Sequence, residues 1–117
     1  MTLTLFHEFT ISKEIQDLID KSGLNPSDWY VGITKDENQR NANGRGVDIN
    51  DTQNYICRNA KTRTSSCRIE RYFIVDIGTD GGTPCNGGND DTIYIYAINQ
   101  TVYPITEQLL FEINNNI

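Results

Sequence analysis

Glu70 is the charged residue whose position most needs a chemical explanation. If residues 67–77 form a helix, steps of about 100° per residue place Glu70 near the middle of a broad apolar arc. That arc consists of Ile69, Phe73, Ile74 and Ile77. A buried carboxylate is costly unless it is paired, hydrogen-bonded or bound to a cation. Glu70 is therefore a candidate site residue; a structural pair with an arginine, or a place at a fraying helix edge, are the alternatives.

Residues 28–36 are a second place where the residue types suggest chemistry. They read Asp-Trp-Tyr-Val-Gly-Ile-Thr-Lys-Asp, the only run in which aromatic, β-branched, glycine and charged residues occur together between turn signals. The alternation from residue 29 to residue 34 is typical of a half-buried strand. We therefore predict a strand that leads into a functional loop, with Tyr30, Gly32 and Lys35 as candidate site residues.

A glycine-rich loop is expected over residues 78–91, a stretch too long for a simple hairpin turn. Gly81 and Gly82 form one of its two glycine pairs. Such a backbone allows N–H groups to approach an anion, which makes both glycines candidate binding residues. The three aspartates of the loop alternatively offer ligands for a hard cation. A plain flexible connection is the third interpretation.

Composition limits the classes of protein to consider. The 117 residues are enough for one domain, 1–117, and no apolar run approaches the roughly 20 residues that span a bilayer. The first residues lack the basic start and the small-residue cleavage site of a secretory signal. Three cysteines without paired spacing indicate a reducing compartment, and a single histidine argues against a structural zinc site. We expect a cytoplasmic protein with no membrane partner.

The charge distribution bears on nucleic-acid binding. A net charge of −6 disfavours generic DNA binding, which depends on lysines and arginines that neutralise phosphates. The basic residues are nevertheless unevenly placed, because five of them fall within one short region. They are Arg58, Lys61, Arg63, Arg68 and Arg71. The pattern indicates either a local basic face on an acidic protein or a solvated surface with no partner.

The first elements of the chain are expected to be a strand, a helix and a strand. A short strand is predicted over residues 2–6. Residues 10–12 then supply candidate capping residues for a helix that reaches about residue 22. The apolar stripe of this helix repeats at three-to-four spacing and consists of Ile11, Ile15, Leu18 and Ile19. Gly23 ends the helix, and the strand of residues 29–34 follows after a turn.

The second half of the chain is expected to supply the rest of the sheet. A strand is predicted over residues 55–60, and hydroxyl residues then precede the helix of residues 67–77, which Gly78 ends. Residues 92–98 form the strongest predicted strand, with isoleucines on one face and Tyr94 and Tyr96 on the other. Bulk on both faces predicts a central position in the sheet.

A last helix is predicted from Pro104, since proline fits the first turn of a helix. Its apolar side consists of Ile105, Leu109, Leu110 and Ile113. This C-terminal helix packs either on its own sheet or on a second copy, so a homo-oligomer stays open. The fold class is α+β: a single small domain with a three-to-four-stranded, mostly antiparallel sheet flanked by helices. Residues 35–54 and 78–91 are long polar loops.

At residues 28–77 the chain resembles the GIY-YIG endonucleases. Trp-Tyr-Val-Gly-Ile-Thr-Lys-Asp at 29–36, followed by Arg40, looks like the second half of their signature: a Tyr-x-Gly strand, a Thr-x-Asp turn and an arginine on the next helix. Glu70 is similar in placement to the glutamate that binds a divalent metal in that family. The resemblance implies a GIY-YIG-like fold.

The resemblance also implies roles for individual residues. Tyr30 would be the tyrosine of the Tyr-x-Gly element and Gly32 its close-packing glycine, while Arg40 would stabilise phosphate charge. Glu70 would hold magnesium or manganese, since magnesium is bound by one carboxylate plus waters in many proteins. The implied activity is metal-dependent hydrolysis of a phosphodiester in nucleic acid, retained or lost.

The first half of the family signature has no counterpart in this sequence. No Gly-Ile-Tyr strand precedes Trp29, and the usual histidine after the arginine is missing, because the only histidine is His7. We predict that the strand of residues 92–98 fills the vacant position in the sheet. Tyr94 or Tyr96 would then lie near Tyr30.

Two further functions stay open beside the nuclease. One is a non-catalytic domain that binds a nucleotide, a small anion or a protein, with the glycine-rich loop and the aromatic strand forming the pocket; it would need no cofactor. The other is an inhibitor or adaptor from a phage or other mobile element that binds a host protein. Small size, acidity and an Asn- and Ile-rich composition motivate this last hypothesis, because acidic inhibitors can occupy basic sites.

Overall fold

The computed structural model describes residues 3–37 and 45–104. In chain order its elements are helix α1 (Leu3–Ser22), strand β1 (Trp29–Thr34), strand β2 (Tyr55–Asn59), helix α2 (Arg63–Arg71) and strand β3 (Tyr94–Asn99). A short 3₁₀ turn, Pro26–Asp28, precedes β1, and α2 continues as a π-helical segment over Tyr72–Ile77. The three strands form one antiparallel sheet, which confirms the α+β class.

Strand β3 lies at the centre of the sheet, in the order β1-β3-β2. Gly32 of β1 pairs with Tyr96, and Ile56 of β2 pairs with Ala97. The predicted position of this strand next to β1 is therefore confirmed. Its side chains are buried on both faces except at the first residue, Tyr94, which explains the apolar and aromatic composition.

The main core lies between the helices and one face of the sheet. Its fully buried members include Ile15 of α1, Phe73 of the π-helical segment and Trp29 of β1. The predicted apolar stripe of α1 faces this core, because Ile11, Ile15 and Ile19 are buried and Leu18 packs at the edge.

The opposite face of the sheet carries a second, smaller apolar cluster. Its buried members are Val47, Tyr55, Tyr96 and Ile98, and Tyr30, Cys57 and Tyr103 pack against them. Ile98 thus shares the face of the tyrosines, and the prediction that the isoleucines of this strand all share the other face is wrong. The period of two along a strand places residues 94, 96 and 98 on one side.

The N-terminal strand predicted over residues 2–6 is wrong, because the described part of this segment is the first turn of α1. The alternation of threonine and leucine suggested a strand, yet Leu5 and Phe6 remain exposed. Two contacts hold this end of the helix against the rest of the domain. His7 Nε2 lies 2.9 Å from the carbonyl oxygen of Asn59, and Glu8 binds Arg68.

Helix α2 begins at residue 63. The start that the sequence predicted, residue 67, is therefore wrong. Thr62 caps it: the side chain accepts a hydrogen bond from the Ser65 N–H at 3.1 Å. Ser66 can be buried in the first turns because its hydroxyl donates to the Thr92 carbonyl at 2.8 Å. The predicted end at Gly78 is confirmed by its left-handed backbone (φ 94°).

The polar loops contain no helix or strand in their described parts, residues 35–37, 45–54 and 78–91, apart from one isolated bridge between Tyr30 and Asp80. Arg40 and the predicted helix of residues 105–113 lie outside the described residues. Within the described ranges, no helix is both long and apolar enough to cross a bilayer.

Candidate functional site

Tyr30 and Tyr96 are brought together by the pairing of β1 with β3. Their rings are stacked, with centroids 6.2 Å apart and an interplanar angle of 21°. This contact confirms the prediction that a tyrosine of the C-terminal strand lies near Tyr30. Tyr94 lies at the opposite end of the pairing from Tyr30, because it pairs with Thr34 while Tyr30 pairs with Ile98.

Arg45 lies over the ring of Tyr30, with its guanidinium carbon 4.8 Å from the ring centroid. Its Nη1 donates to Oε1 of Gln100 and to the carbonyl of Tyr103, both at 3.1 Å. Gln100 in turn donates from Nε2 to Oδ2 of Asp80 at 3.1 Å. No spacing in the sequence predicts this cation–π contact, since it depends on the path of residues 45–54 across the sheet.

The Tyr30 hydroxyl is suited to donating a hydrogen bond as a neutral phenol rather than to acting as a phenolate. Burial raises its pKa, and the charges of Asp80 and Glu70 raise it further, while the Arg45 guanidinium opposes them. Burial in turn lowers the pKa of Arg45, with Tyr30 opposing that shift. At neutral pH the pair is a neutral phenol beneath a cation.

Glu70 is buried, as predicted, with 5% of its surface exposed. Its Oε1 accepts a hydrogen bond from the Cys85 N–H at 2.8 Å. Burial raises the pKa of Glu70, and the hydrogen bond from Cys85 and the charge of Arg63 oppose that rise. The carboxylate thus belongs to the contact between α2 and the glycine-rich loop.

The glycine-rich loop also reaches Tyr30. A Cβ atom added at Gly82 would lie 4.0 Å from the Tyr30 hydroxyl oxygen, and the loop then continues to Cys85, which Glu70 binds. Gly81 packs tightly, because an added Cβ would lie 2.8 Å from the Val31 carbonyl oxygen. Tyr30 and Glu70 therefore contact the same loop at positions a few residues apart.

A divalent cation fits poorly at Glu70 in this arrangement. Magnesium usually keeps several waters, and these need room that a carboxylate with 5% exposure does not offer. One carboxylate oxygen is already used by the Cys85 amide. Across residues 3–37 and 45–104, no three His, Cys, Asp or Glu side chains are grouped as a metal site. Magnesium or manganese at Glu70 stays a prediction.

A cavity of about 260 Å³ lies between α2 and the glycine-rich loop and is rich in arginine. It is lined by Arg63, Thr64, Cys67, Arg68, Arg71 and Cys85. Arg63 donates from Nη2 to the carbonyls of Cys85 at 3.2 Å and Gly87 at 2.8 Å, so it also fixes one wall. Three members of the predicted local basic face are thus gathered at one cavity.

Arg68 is partly neutralised by Glu8, a residue to which the sequence assigned no role. Its Nη2 donates to Glu8 Oε1 at 2.7 Å, and Ser65 Oγ donates to the same oxygen at 2.6 Å. Burial alone would raise the pKa of Glu8, but these hydrogen bonds and the charge of Arg68 bring it below its usual value. Because the charge of Arg63 in turn acts on Glu70, most of the uncompensated charge at the cavity comes from the exposed Arg71.

Two free thiols line the same cavity, Cys67 and Cys85, and both are partly exposed. Burial raises the pKa of Cys85 to about 11, and Cys67 and Glu70 add to the shift while Arg71 opposes it. Cys85 also has a left-handed backbone (φ 61°), which is uncommon for a residue other than glycine.

Lys35 is exposed and lies away from the tyrosine pair. It lines a separate cavity of about 290 Å³ with Ile33 and Thr34 of β1 and with part of the glycine-rich loop, including Gly87 and Gly88. Of the predicted site residues that are described, the structure therefore groups Tyr30, Gly32, Tyr96 and Gly82. Glu70 joins them through the loop, whereas Lys35 and Tyr94 lie apart.

Comparison with known proteins gives no relative for this chain: no family, no curated protein and no solved structure matches it.

Proposed function

We propose that this domain binds a small phosphate-bearing anion, such as a nucleotide, at the arginine-lined cavity of α2. The observation that carries the proposal is the presence of Arg63, Arg68 and Arg71 around one cavity of about 260 Å³ in a chain of net charge −6. Local positive potential in an acidic protein attracts anions to that place.

The chemistry of the lining suits a phosphate group. Guanidinium groups offer planar pairs of N–H donors that match phosphate oxygens, and they keep their charge at any physiological pH. Arg71 is exposed, so it can turn towards a ligand, and the Thr64 hydroxyl adds a polar group to the lining. Because the cavity is below the usual 300–1,000 Å³ of drug-sized sites, it fits one phosphate with part of its carrier.

The test is a comparison of two charge-matched variants. Arg71→Gln removes a charge from the cavity, whereas Arg58→Gln removes one from β2, where Arg58 pairs with Glu14. Isothermal titration with inorganic phosphate and with ATP should show binding that Arg71→Gln weakens about two- to fivefold, the effect of one exposed ion pair. Arg58→Gln should bind like the parent protein. Equal loss in both variants, or no binding by the parent protein, would contradict the proposal.

The second candidate function is metal-dependent phosphodiester hydrolysis, as the resemblance to GIY-YIG endonucleases implies. The contact between Tyr30 and Tyr96 supports it, because the resemblance implies a second tyrosine beside the Tyr-x-Gly strand. Tyr30, Arg40 and Glu70 would be the catalytic residues. Plasmid cleavage in magnesium or manganese that Tyr30→Phe and Glu70→Ala both abolish would support this candidate, and cleavage that survives both changes would exclude these residues from it.

A further inference from the structure

A groove of about 710 Å³ runs between α1 and the end of α2, and the proposed anion-binding function does not use it. Its apolar walls are Leu5 and Phe9 of α1, Ile69 of α2 and Tyr72, the first residue of the π-helical segment. Phe9 is 59% exposed and Tyr72 is 40% exposed, so the groove is open to solvent. We call this feature the α1 groove.

Exposed apolar surface continues beside the α1 groove. Phe6 of α1 is 58% exposed, and Val75, three residues after Tyr72, is 62% exposed. Tyr72 is held in place, because its ring lies edge-on against Phe73 with centroids 5.1 Å apart, and Phe73 is fully buried in the main core. A patch of exposed apolar side chains around a groove is typical of an interaction site.

The side of α1 that lines the groove changes from apolar to polar along the helix. Positions 5, 9, 16 and 20 fall within an arc of about 60° at 100° per residue, and those at 5 and 9 are apolar. Gln16 Nε2 donates to Oδ1 of Asp20 at 2.9 Å, whereas Gln16 Oε1 is buried and accepts no hydrogen bond within the described ranges. A buried acceptor without a donor is costly, so this end of the groove is suited to an incoming donor.

The charged side chains of the groove leave one carboxylate without a cation. Lys13 pairs with Asp17 at 3.3 Å, and Arg68 pairs with Glu8 at 2.7 Å. Asp20 also lines the groove, and no ion pair joins it to any residue of 3–37 or 45–104. The group that complements this end of the groove is therefore a positively charged donor, such as lysine or arginine.

We propose that the α1 groove binds a basic amphipathic helix of a partner protein. The apolar face of that helix covers Phe9 and Tyr72, and its lysine or arginine donates to Asp20 and to the amide oxygen of Gln16 after a rotation of the glutamine side chain. The line from residue 5 to residue 20 is about 23 Å long, which matches about four turns of a helix. Two helices form the walls, and a third helix packs well into such a groove.

The charge of the chain favours a basic partner over two other occupants. A second copy of the chain would bring another net charge of −6, and the two copies repel one another. A membrane surface is disfavoured, because anionic lipid headgroups attract lysines and arginines and repel an acidic protein. A basic partner is instead attracted before contact and held by the apolar surface after it. The groove is independent of the proposed anion site, whose cations Arg63 and Arg71 line the other cavity.

The experiment measures the binding of three labelled peptides of about 16 residues to the 117-residue chain by fluorescence anisotropy. The first peptide consists of leucine and lysine, ordered so that its helix has one apolar and one basic face. The second has the same composition in a scrambled order, and the third has glutamate in place of lysine. The first peptide should bind about tenfold more tightly than the scrambled one, and the acidic peptide should not bind.

Two pairs of variants locate the peptide on the protein. Phe9→Ser should weaken binding about ten- to thirtyfold, the effect of truncating a central apolar anchor, whereas Val102→Ser removes an exposed apolar side chain elsewhere and should bind like the parent protein. Asp20→Asn should weaken binding about two- to fivefold, and Asp90→Asn, a change in the glycine-rich loop, should not. Asp20→Asn alters only an exposed carboxylate, so it tests the site even if Phe9→Ser folds poorly.

Four results would overturn the proposal. Equal affinity for the ordered and the scrambled peptide would show attraction by overall charge alone, and equal effects of Phe9→Ser and Val102→Ser would place the peptide elsewhere. A dimer in analytical ultracentrifugation that Phe9→Ser dissociates would make the occupant a second copy. Tighter peptide binding after Leu109→Ser would make the occupant the segment of residues 105–117, which lies outside the described residues.

Discussion

The end of the Tyr96 side chain occupies the space beside Gly32 that a Cβ atom would need. An added Cβ at Gly32 would lie 2.6 Å from the hydroxyl oxygen of Tyr96 and 2.7 Å from its Cζ. The two residues are also direct partners in the pairing of β1 with β3. Tyr96 can stack on Tyr30 only because residue 32 has no side chain.

Gly32→Ala is therefore expected to destabilise the domain by about 1–3 kcal/mol, the usual cost of overpacking a filled interior. The Tyr96 ring is rigid and buried, so it cannot turn away cheaply. Chemical denaturation measures the effect. Gly82→Ala is the matched control, because its Cβ would have room beside Tyr30 and its stability should change by no more than about 0.5 kcal/mol. Equal stability of Gly32→Ala and the parent protein would contradict this packing.

The sheet could be predicted because its strands carry strong local signals. Residues 92–98 combine β-branched and aromatic residues with bulk on both faces, which indicates a central strand, and β3 is central. The burial of Glu70 was likewise predictable from helical spacing alone. Patterns with a period of two or 3.6 residues predict burial, because they place side chains on one face of a strand or a helix.

Features that depend on long-range contacts could not be predicted. The first turns of α1 look like a strand in sequence, whereas the helix there is held by contacts with distant residues, of Glu8 with Arg68, 60 residues away, and of His7 with Asn59. The cation over Tyr30 is Arg45, which no spacing rule links to that ring. The partner of Glu70 is a backbone N–H of Cys85, and any residue except proline supplies such a group.

Glu8→Gln is expected to destabilise the domain at neutral pH by about 1–3 kcal/mol, because it weakens hydrogen bonds made to a charged, nearly buried group. The folded-state pKa of Glu8 is lowered, so its stabilising contribution is present above the ordinary glutamate pKa of 4.5. It is lost as the pH falls through the lower folded-state pKa. Urea unfolding of both proteins at several pH values measures this difference.

Glu14→Gln is the control for that measurement, since Glu14 pairs with Arg58 on the surface, with both side chains about 40% exposed or more. Exposed pairs contribute only about 0–1 kcal/mol. If Glu14→Gln lowered the free energy of unfolding as much as Glu8→Gln does, burial would not be the reason for the strength of the Glu8–Arg68 pair.

The effect of Glu70→Gln on stability is expected to depend on pH in the opposite direction from the effect of Glu8→Gln. The folded-state pKa of Glu70 is raised by burial, so the charged form opposes folding above that pKa. Stability of the parent protein should therefore rise as the pH falls from the raised folded-state pKa towards 4.5, the ordinary value. Glutamine is always neutral, so its own rise over this range should be smaller, whereas its Oε1 can still accept the Cys85 N–H. Parallel pH profiles for the two proteins would contradict the direction of the shift.

Arg63→Ala is expected to release the glycine-rich loop from α2, because it removes both bonds to the carbonyls of Cys85 and Gly87. The left-handed backbone conformations of Cys85 and Gly87 then lose the contacts that hold them. The loop should therefore open more often and expose its amides to exchange. Amide hydrogen exchange over residues 82–88 should become several-fold faster, while β3 keeps its protection. Arg58→Ala removes the same side chain from β2 and should leave exchange in the loop unchanged.

Because Arg63 also lines the cavity, phosphate binding should weaken in Arg63→Ala but not in Arg58→Ala. Unaltered loop exchange in Arg63→Ala would show that other contacts fix the wall of the cavity.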